Sequence, residues 1–129
     1  MTNRFDFTRI VRDYIAASRH LDLPTEIHVQ AKHHILDTFA AMISGSTLSP
    51  GQFMLRYVRT EGGSAEAQVA GSALRASASL AALANGTAAH ADETDDSHAA
   101  SGTHPGCAVV PAALAMAERA ASDGTAFLK

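Results

Sequence analysis

The sequence has little of several residue types that mark particular protein classes. Its 129 residues include no Trp, aromatic residues make up 5%, and Cys107 is the single cysteine. One thiol cannot form an internal disulfide, so nothing indicates a secreted disulfide framework. No apolar run reaches 18 residues and no signal-peptide core is present, so we expect a cytoplasmic protein without a membrane span. The net charge of −3 argues against a nucleic-acid-binding protein, which would carry a basic surplus.

Alanine, in contrast, is abundant, with 27 of the 129 residues. Because Ala is the best helix former and lets helices approach closely, we predict a mainly α chain that forms an Ala-rich helical bundle. Apolar periodicity and capping signals predict helices over residues 6–19, 25–44, 50–59, 77–91 and 106–121, and a further helical turn at 126–129. Residues 65–75 alternate weakly and predict a short extended excursion.

Several positions in these helices carry specific expectations. Thr25 and Gly45 are expected to cap the second helix, and Ser49 to cap the third helix before Pro50. The pair at 85–86, Asn-Gly, is expected to interrupt the fourth helix. The apolar stripe of the second helix comprises Ile35, Leu36, Phe39, Met42 and Ile43, and the last full helix is expected to bury Val110, Ala113, Leu114 and Ala117.

A polar loop between two Ala-rich helices concentrates the ionisable residues. Its acids are Asp92, Glu93, Asp95 and Asp96, and the histidines in and beside it are His90, His98 and His104. A long polar loop on a rigid helical scaffold commonly presents reactive groups, and carboxylates crowded against histidines suit acid–base chemistry near neutral pH. The alternative is a solvated acidic loop whose Asp and Ser residues cap helices.

We expect no metal site in the loop, and we expect structural roles for the remaining histidines and the cysteine. The loop has no HExxH motif, no cysteine pair and no glycine at the sixth position that an EF-hand needs, so we expect no metal. Of His33 and His34, one is expected to face the edge of the core and the other solvent. Cys107 is expected to be a buried small hydrophobic residue.

Four separate motifs resemble the MmgE/PrpD family, which includes 2-methylcitrate dehydratase and cis-aconitate decarboxylase. They are ILDT at 35–38, ALANGTAAH at 82–90, ETDDSH at 93–98, and HPG at 104–106 leading into PAALA at 111–115. They occur in register over about residues 25–129. The resemblance implies a large helical domain joined to a smaller α+β domain, usually in a homodimer, with residues 1–129 as the N-terminal part of the helical domain.

The resemblance also implies roles for individual residues. The first aspartate of the family's Asp-Phe-Asp-Asp-Thr motif falls on Glu93, its threonine on Ser97, and the histidine of its His-Pro pair on His104. We expect His104 and Glu93 to be catalytic, with His104 as acid or base. Ser97, Asp96 and His98 are expected to bind the substrate. This sequence departs from the motif at positions 93, 94 and 97.

The resemblance therefore implies that the chain is a segment of a cofactor-independent lyase. Such an enzyme acts on a small di- or tricarboxylate by dehydration or decarboxylation. The family's active-site lysines lie beyond Lys129, so the resemblance implies that the isolated chain is inactive and that positive charge for the substrate comes from elsewhere. Three alternatives stay open: an epimerase of the same family, a non-catalytic helical interaction or dimerisation module, and a metal-binding helical domain.

Overall fold

The described part of the chain, residues 6–18 and 21–128, is mainly helical in this computed structural model. Its elements are α1 (Phe7–Ser18), α2 (Thr25–Ser46), α3 (Ser49–Glu61), β1 (Ala67–Gln68), β2 (Arg75–Ala76), α4 (Ala78–Ala89), α5 (Gly106–Arg119) and α6 (Gly124–Phe127). The helices that make up most of the described chain confirm the mainly α prediction, and the antiparallel pairing of the two strands confirms the extended excursion at 65–75. Within these residues, no helix has both the length and the apolar character needed to cross a membrane.

Helix α4 lies at the centre of the fold and packs against α2, α3 and α5. Its buried residues are Ala78, Ala81, Ala84, Asn85, Ala88 and Ala89. Leu55 and Val58 of α3, Val69 from the hairpin and Ala115 of α5 close the apolar cluster around it. Since most of the buried side chains of α4 are methyl groups, the neighbouring helices approach its backbone closely.

Gly45 lies inside α2 and does not end it, contrary to the prediction. A Cβ atom at this position would lie 1.8 Å from the carbonyl oxygen of Ala88, so the glycine allows the α2 and α4 backbones to meet. The helix continues to Ser46, and Thr47 is the C-cap. Gly45 is therefore a packing residue.

The N-caps of α2 and α3 lie one residue before the predicted positions. Pro24 and Leu48 are the caps, neither with a side-chain hydrogen bond, and the predicted caps Thr25 and Ser49 are already helical. Both caps have extended backbone angles, so each helix begins at the next residue. Pro50 then falls in the first turn of α3, where its missing N–H has no intrahelical acceptor to lose.

The contact face of α2 differs from the predicted stripe. Met42 is buried as expected, but Leu36 is 68% exposed and Ile43 is 61% exposed. The other buried residues of α2 are Thr38, Ala41, Gly45 and Ser46. Apart from Met42, the buried residues of this face are small, which lets α2 approach α4 closely.

The contact face of α5 is also shifted from the prediction. Val110 is buried, while Ala113, Leu114 and Ala117 are half-buried. The remaining buried residues of α5 are Gly106, Pro111 and Ala115. Pro111 has no N–H to donate to the carbonyl of Cys107 one turn earlier. That carbonyl oxygen faces Gly86 of α4, where a Cβ atom would lie 2.9 Å away.

The Asn85-Gly86 pair does not interrupt α4, which corrects a further prediction. Asn85 is 2% exposed. Its Oδ1 accepts the backbone N–H of Ala70 at 2.8 Å, and its Nδ2 donates to the carbonyl of Gln68 at 3.0 Å. A buried side-chain amide needs hydrogen-bond partners, and both partners of Asn85 lie in the hairpin. Asn85 therefore holds the hairpin against α4.

Helical structure is present at both ends of the described chain, but α6 begins at Gly124, two residues before the predicted turn at 126–129. Helix α1 is amphipathic, and none of its residues is buried. Residue 19, the predicted end of this helix, lies outside the described residues, as does residue 129. At the other end, Asp123 caps α6 and its side chain accepts the N–H of Ala126 at 2.9 Å.

Candidate active site

The histidines of the polar loop meet where the end of α4 packs against the beginning of α5. His90 directly follows α4, and His104 precedes α5 by two positions. The α4–α5 contact is the most extensive helix contact among the described residues. It brings the two imidazole rings to a centroid distance of 5.2 Å with an interplanar angle of 61°. A β-bridge between His98 and Thr103 closes the loop that joins them.

Asp95 is the buried centre of this site. Its side chain has no exposed surface, and each carboxylate oxygen lies 3.2 Å from Nδ1 of His90. Oδ1 also lies 3.4 Å from Nδ1 of His104, in a geometry that does not form a hydrogen bond, so this buried nitrogen has no partner. A buried carboxylate needs polar or cationic partners, and here one carboxylate faces two imidazoles.

Glu93, predicted to be catalytic, lies on the opposite side of the His90 ring. Its Oε1 is 3.7 Å from Nε2 of His90, and its side chain is 73% exposed. The backbone of Glu93 has a φ of 58°, in the left-handed region where Gly, Asn and Asp are more common. The structure therefore places Glu93 beside His90 at the surface, while Asp95 stands between His90 and His104.

Asp96, predicted to bind substrate, joins the loop to α5. Its Oδ1 accepts the N–H of Gly106 at 2.7 Å. A Cβ atom at Gly106 would lie 2.5 Å from this oxygen and 2.8 Å from Oγ1 of Thr38, so the close approach requires glycine. His33 and His34 are both exposed, and Nδ1 of His34 lies 3.9 Å from Oδ2 of Asp96.

Two open grooves flank the loop. Four of the five predicted site residues line one or the other, and His104 lines neither. The larger groove has a volume of about 650 Å³ and is lined by His90, Glu93 and Cys107 together with small and apolar residues of α3, α4 and α5. The smaller one, of about 320 Å³, is lined by Asp96, Ser97 and His98, among others. Among the residues that the structure describes, those that line these two grooves include no Lys or Arg.

Asp92 anchors the loop to α2. The hydroxyl of Ser44 donates to its Oδ2 at 2.5 Å, and the hydroxyl of Thr94 donates to its Oδ1 at 2.7 Å. These hydrogen bonds, that from Ser44 above all, stabilise the charged form and hold the pKa of Asp92 below its ordinary value. Asp92 therefore acts as a structural residue of the loop.

Cys107 is half-buried beside the site and stays protonated at neutral pH. Burial, and then the carboxylates of Asp95 and Asp96, raise the pKa of its thiol to about 11, and its Sγ donates to the carbonyl of His104 at 3.1 Å. The possible metal-donor atoms of His90, Asp95 and Cys107 lie within 4.8 Å of one another. An ion bound through sulfur would displace the thiol proton, so any binding to these three donors would weaken as the pH falls.

Sequence reasoning placed His90 and Asp95 in the cluster of acids and histidines and in the family motifs, but predicted a catalytic or binding role for neither. Both are visible in the sequence, His90 at the end of a predicted helix and Asp95 five positions later. That spacing is a signal for a contact across a tight turn, but the sequence does not show which acid of the run is buried.

A sequence model described as the MmgE/PrpD N-terminal domain matches residues 9–129 of the chain. No curated protein and no solved structure matches it. The matched range contains the helices α2 to α6 and the whole loop that carries the histidine pair and Asp95. The chain therefore belongs to the MmgE/PrpD family, and its residues 9–129 correspond to the N-terminal part of that family.

Proposed function

We propose that this domain supplies part of the active site of a lyase that removes water or CO₂ from a small di- or tricarboxylate. The observation that carries the proposal is the buried Asp95 between His90 and His104, beside an open groove, in a chain of this family. Such an elimination needs a base for a carbon-bound proton and an acid for the leaving group, and imidazole can serve as either near neutral pH. The proposal requires no cofactor.

The proposed roles are those that the family resemblance implies, and the loop brings these residues together between the two grooves. His104 acts as the acid or base. Glu93, which lines the larger groove, is the second catalytic group. Ser97 and His98 line the smaller groove, where they would hydrogen-bond a substrate carboxylate, and Asp96 supports them through its bond to the Gly106 N–H.

A polycarboxylate substrate also needs positive charge, and the groove-lining residues within 6–18 and 21–128 include no Lys or Arg. Electrostatic stabilisation of developing negative charge is a large part of catalysis in such eliminations. The proposal therefore includes cationic residues outside this domain, in agreement with the lysines that the family resemblance implies beyond residue 129. It also includes a cytoplasmic homodimer, which the same resemblance implies.

The test measures turnover by the complete polypeptide that carries residues 1–129. 2-Methylcitrate and cis-aconitate are offered separately, and loss of water or CO₂ is followed by ultraviolet absorbance and by CO₂ release. We expect turnover of a polycarboxylate, and His104→Ala should lower kcat by about 10²–10⁴-fold because a proton-transfer group is removed.

His33→Ala is the matched control, since His33 is an exposed histidine of α2, and its kcat should stay within a few-fold of wild type. Normal turnover by His104→Ala would contradict the assignment of this histidine. Equal losses in both variants with lowered melting temperatures would indicate a structural role. Inversion at a carbon centre without loss of water or CO₂ would favour the alternative of an epimerase. Absence of turnover with every acid offered would favour the non-catalytic interaction module.

A further inference from the structure

His90 lies between two carboxylates of different character. Nδ1 is 3.2 Å from both oxygens of Asp95, whose side chain is fully buried. Nε2 is 3.7 Å from Oε1 of Glu93, whose side chain is 73% exposed. A neutral imidazole carries one proton, so only one of these carboxylates receives an N–H from it.

The buried carboxylate is the stronger acceptor of the two. It is closer to the ring, and water does not compete for its lone pairs. Glu93 is beyond hydrogen-bond distance and is solvated, so it gains little from an N–H of His90. The other ionisable groups near the ring are His104, which approaches the same Asp95 oxygen, and the protonated thiol of Cys107.

We propose that Asp95 is a positioning residue that holds neutral His90 in the Nδ1–H tautomer, so that Nε2 is the proton-exchanging atom presented to the larger groove. His90 lines that groove together with Glu93. The tautomer is set by a side chain that is inaccessible to solvent, and it is therefore in place before any ligand binds. This inference goes beyond the proposed function, because it does not depend on which reaction the groove supports.

The experiment is nuclear magnetic resonance of the 129-residue chain labelled with ¹⁵N in its imidazole rings, at a pH where the imidazoles are neutral. Two-bond ¹H–¹⁵N correlations distinguish a protonated from an unprotonated ring nitrogen, and the spectrum of His90→Gln identifies the His90 signals. We expect the Nδ1–H form of His90 to exceed the Nε2–H form by about tenfold or more, as a hydrogen bond to a charged acceptor implies.

Asp95→Asn tests the source of the preference. An amide offers N–H as readily as C=O to the ring, so the ratio should fall about tenfold or reverse. Asp92→Asn is the matched control, since Asp92 lies in the same loop but bonds Ser44 and Thr94, and it should leave the ratio unchanged.

A wild-type His90 that is mainly Nε2–H would overturn the proposal without any variant, even if Asp95→Asn failed to fold. An unchanged ratio in Asp95→Asn, or an equal fall in Asp92→Asn, would overturn it as well. The result of the lyase assay is independent of the result of the tautomer measurement. No turnover by the complete polypeptide, when the 129-residue chain shows the expected tautomer, refutes the proposed function alone. Turnover by the complete polypeptide, when the chain shows the wrong tautomer, refutes the positioning role alone.

Discussion

Replacing Gly45 by Ala has two opposing effects on the free energy of unfolding: better helix propensity raises it, and a steric clash of the added Cβ atom with α4 lowers it. In an exposed helix interior this change stabilises by about 1 kcal/mol, because Ala has the better propensity. At position 45 the new Cβ would lie 1.8 Å from the carbonyl oxygen of Ala88 and 2.8 Å from its carbonyl carbon. Since both atoms belong to the α4 backbone, no side-chain rotation relieves the contact.

The magnitude follows from the distance that has to be recovered. An ordinary contact begins at 3.4 Å, so α2 and α4 must separate by 1.6 Å at this point. Added atoms in a packed interior cost about 1–3 kcal/mol, and a contact between two backbones belongs at the upper end. Net of the propensity gain, we expect Gly45→Ala to lower the free energy of unfolding by about 2 kcal/mol.

The assay is urea denaturation followed by far-ultraviolet circular dichroism. Gly124→Ala is the matched control, because a Cβ atom at this first residue of α6 has no neighbour within 4 Å, and its stability should be unchanged or slightly raised. Because Ala88 lies two residues before His90, Gly45→Ala should also shift the His90 resonances. Wild-type stability of Gly45→Ala with an unchanged m value would refute the close contact between α2 and α4.

Two predictions concern pH. The backbone N–H of Ala78, above all, holds the pKa of Glu66 below its ordinary value of 4.5, so Glu66 stabilises the folded chain above that pH. Glu66→Gln should therefore be less stable than wild type at pH 7, and the difference in melting temperature should vanish as the pH falls through the folded-state pKa; a constant difference would contradict this. The thiol of Cys107, with its pKa raised to about 11, should react slowly with a disulfide reagent at pH 8 and faster as the pH rises toward 11. A rate at pH 8 equal to that of the urea-unfolded chain would contradict it.

The order of the helices can be predicted from the sequence because the signals for it are local. The positions of proline and glycine, together with the apolar periodicity, predict the ends of α3 and α5 to within about two residues. The extended excursion is equally local, since Gly71 with a φ of 69° lies in the turn between β1 and β2.

The contacts between helices cannot be predicted in this way, because they depend on residues distant in sequence. Gly45 and Asn85 carry local signals for helix ends, yet each acts on a partner outside its own helix. The loop shows the same limit. Four acids lie within five positions, and only the packing of α4 against α5 selects Asp95 for burial between two histidines.

Proline in the middle of α5 has an evolutionary consequence. Pro111 leaves the carbonyl of Cys107 without its intrahelical donor, and that oxygen rests on Gly86 of the neighbouring helix. Another residue at 111 would supply that N–H, so we expect the position of the carbonyl, and with it the space available at 86, to depend on the residue at 111. The two positions lie 25 residues apart in the chain, and we expect substitutions at them to be coupled in their effect on stability.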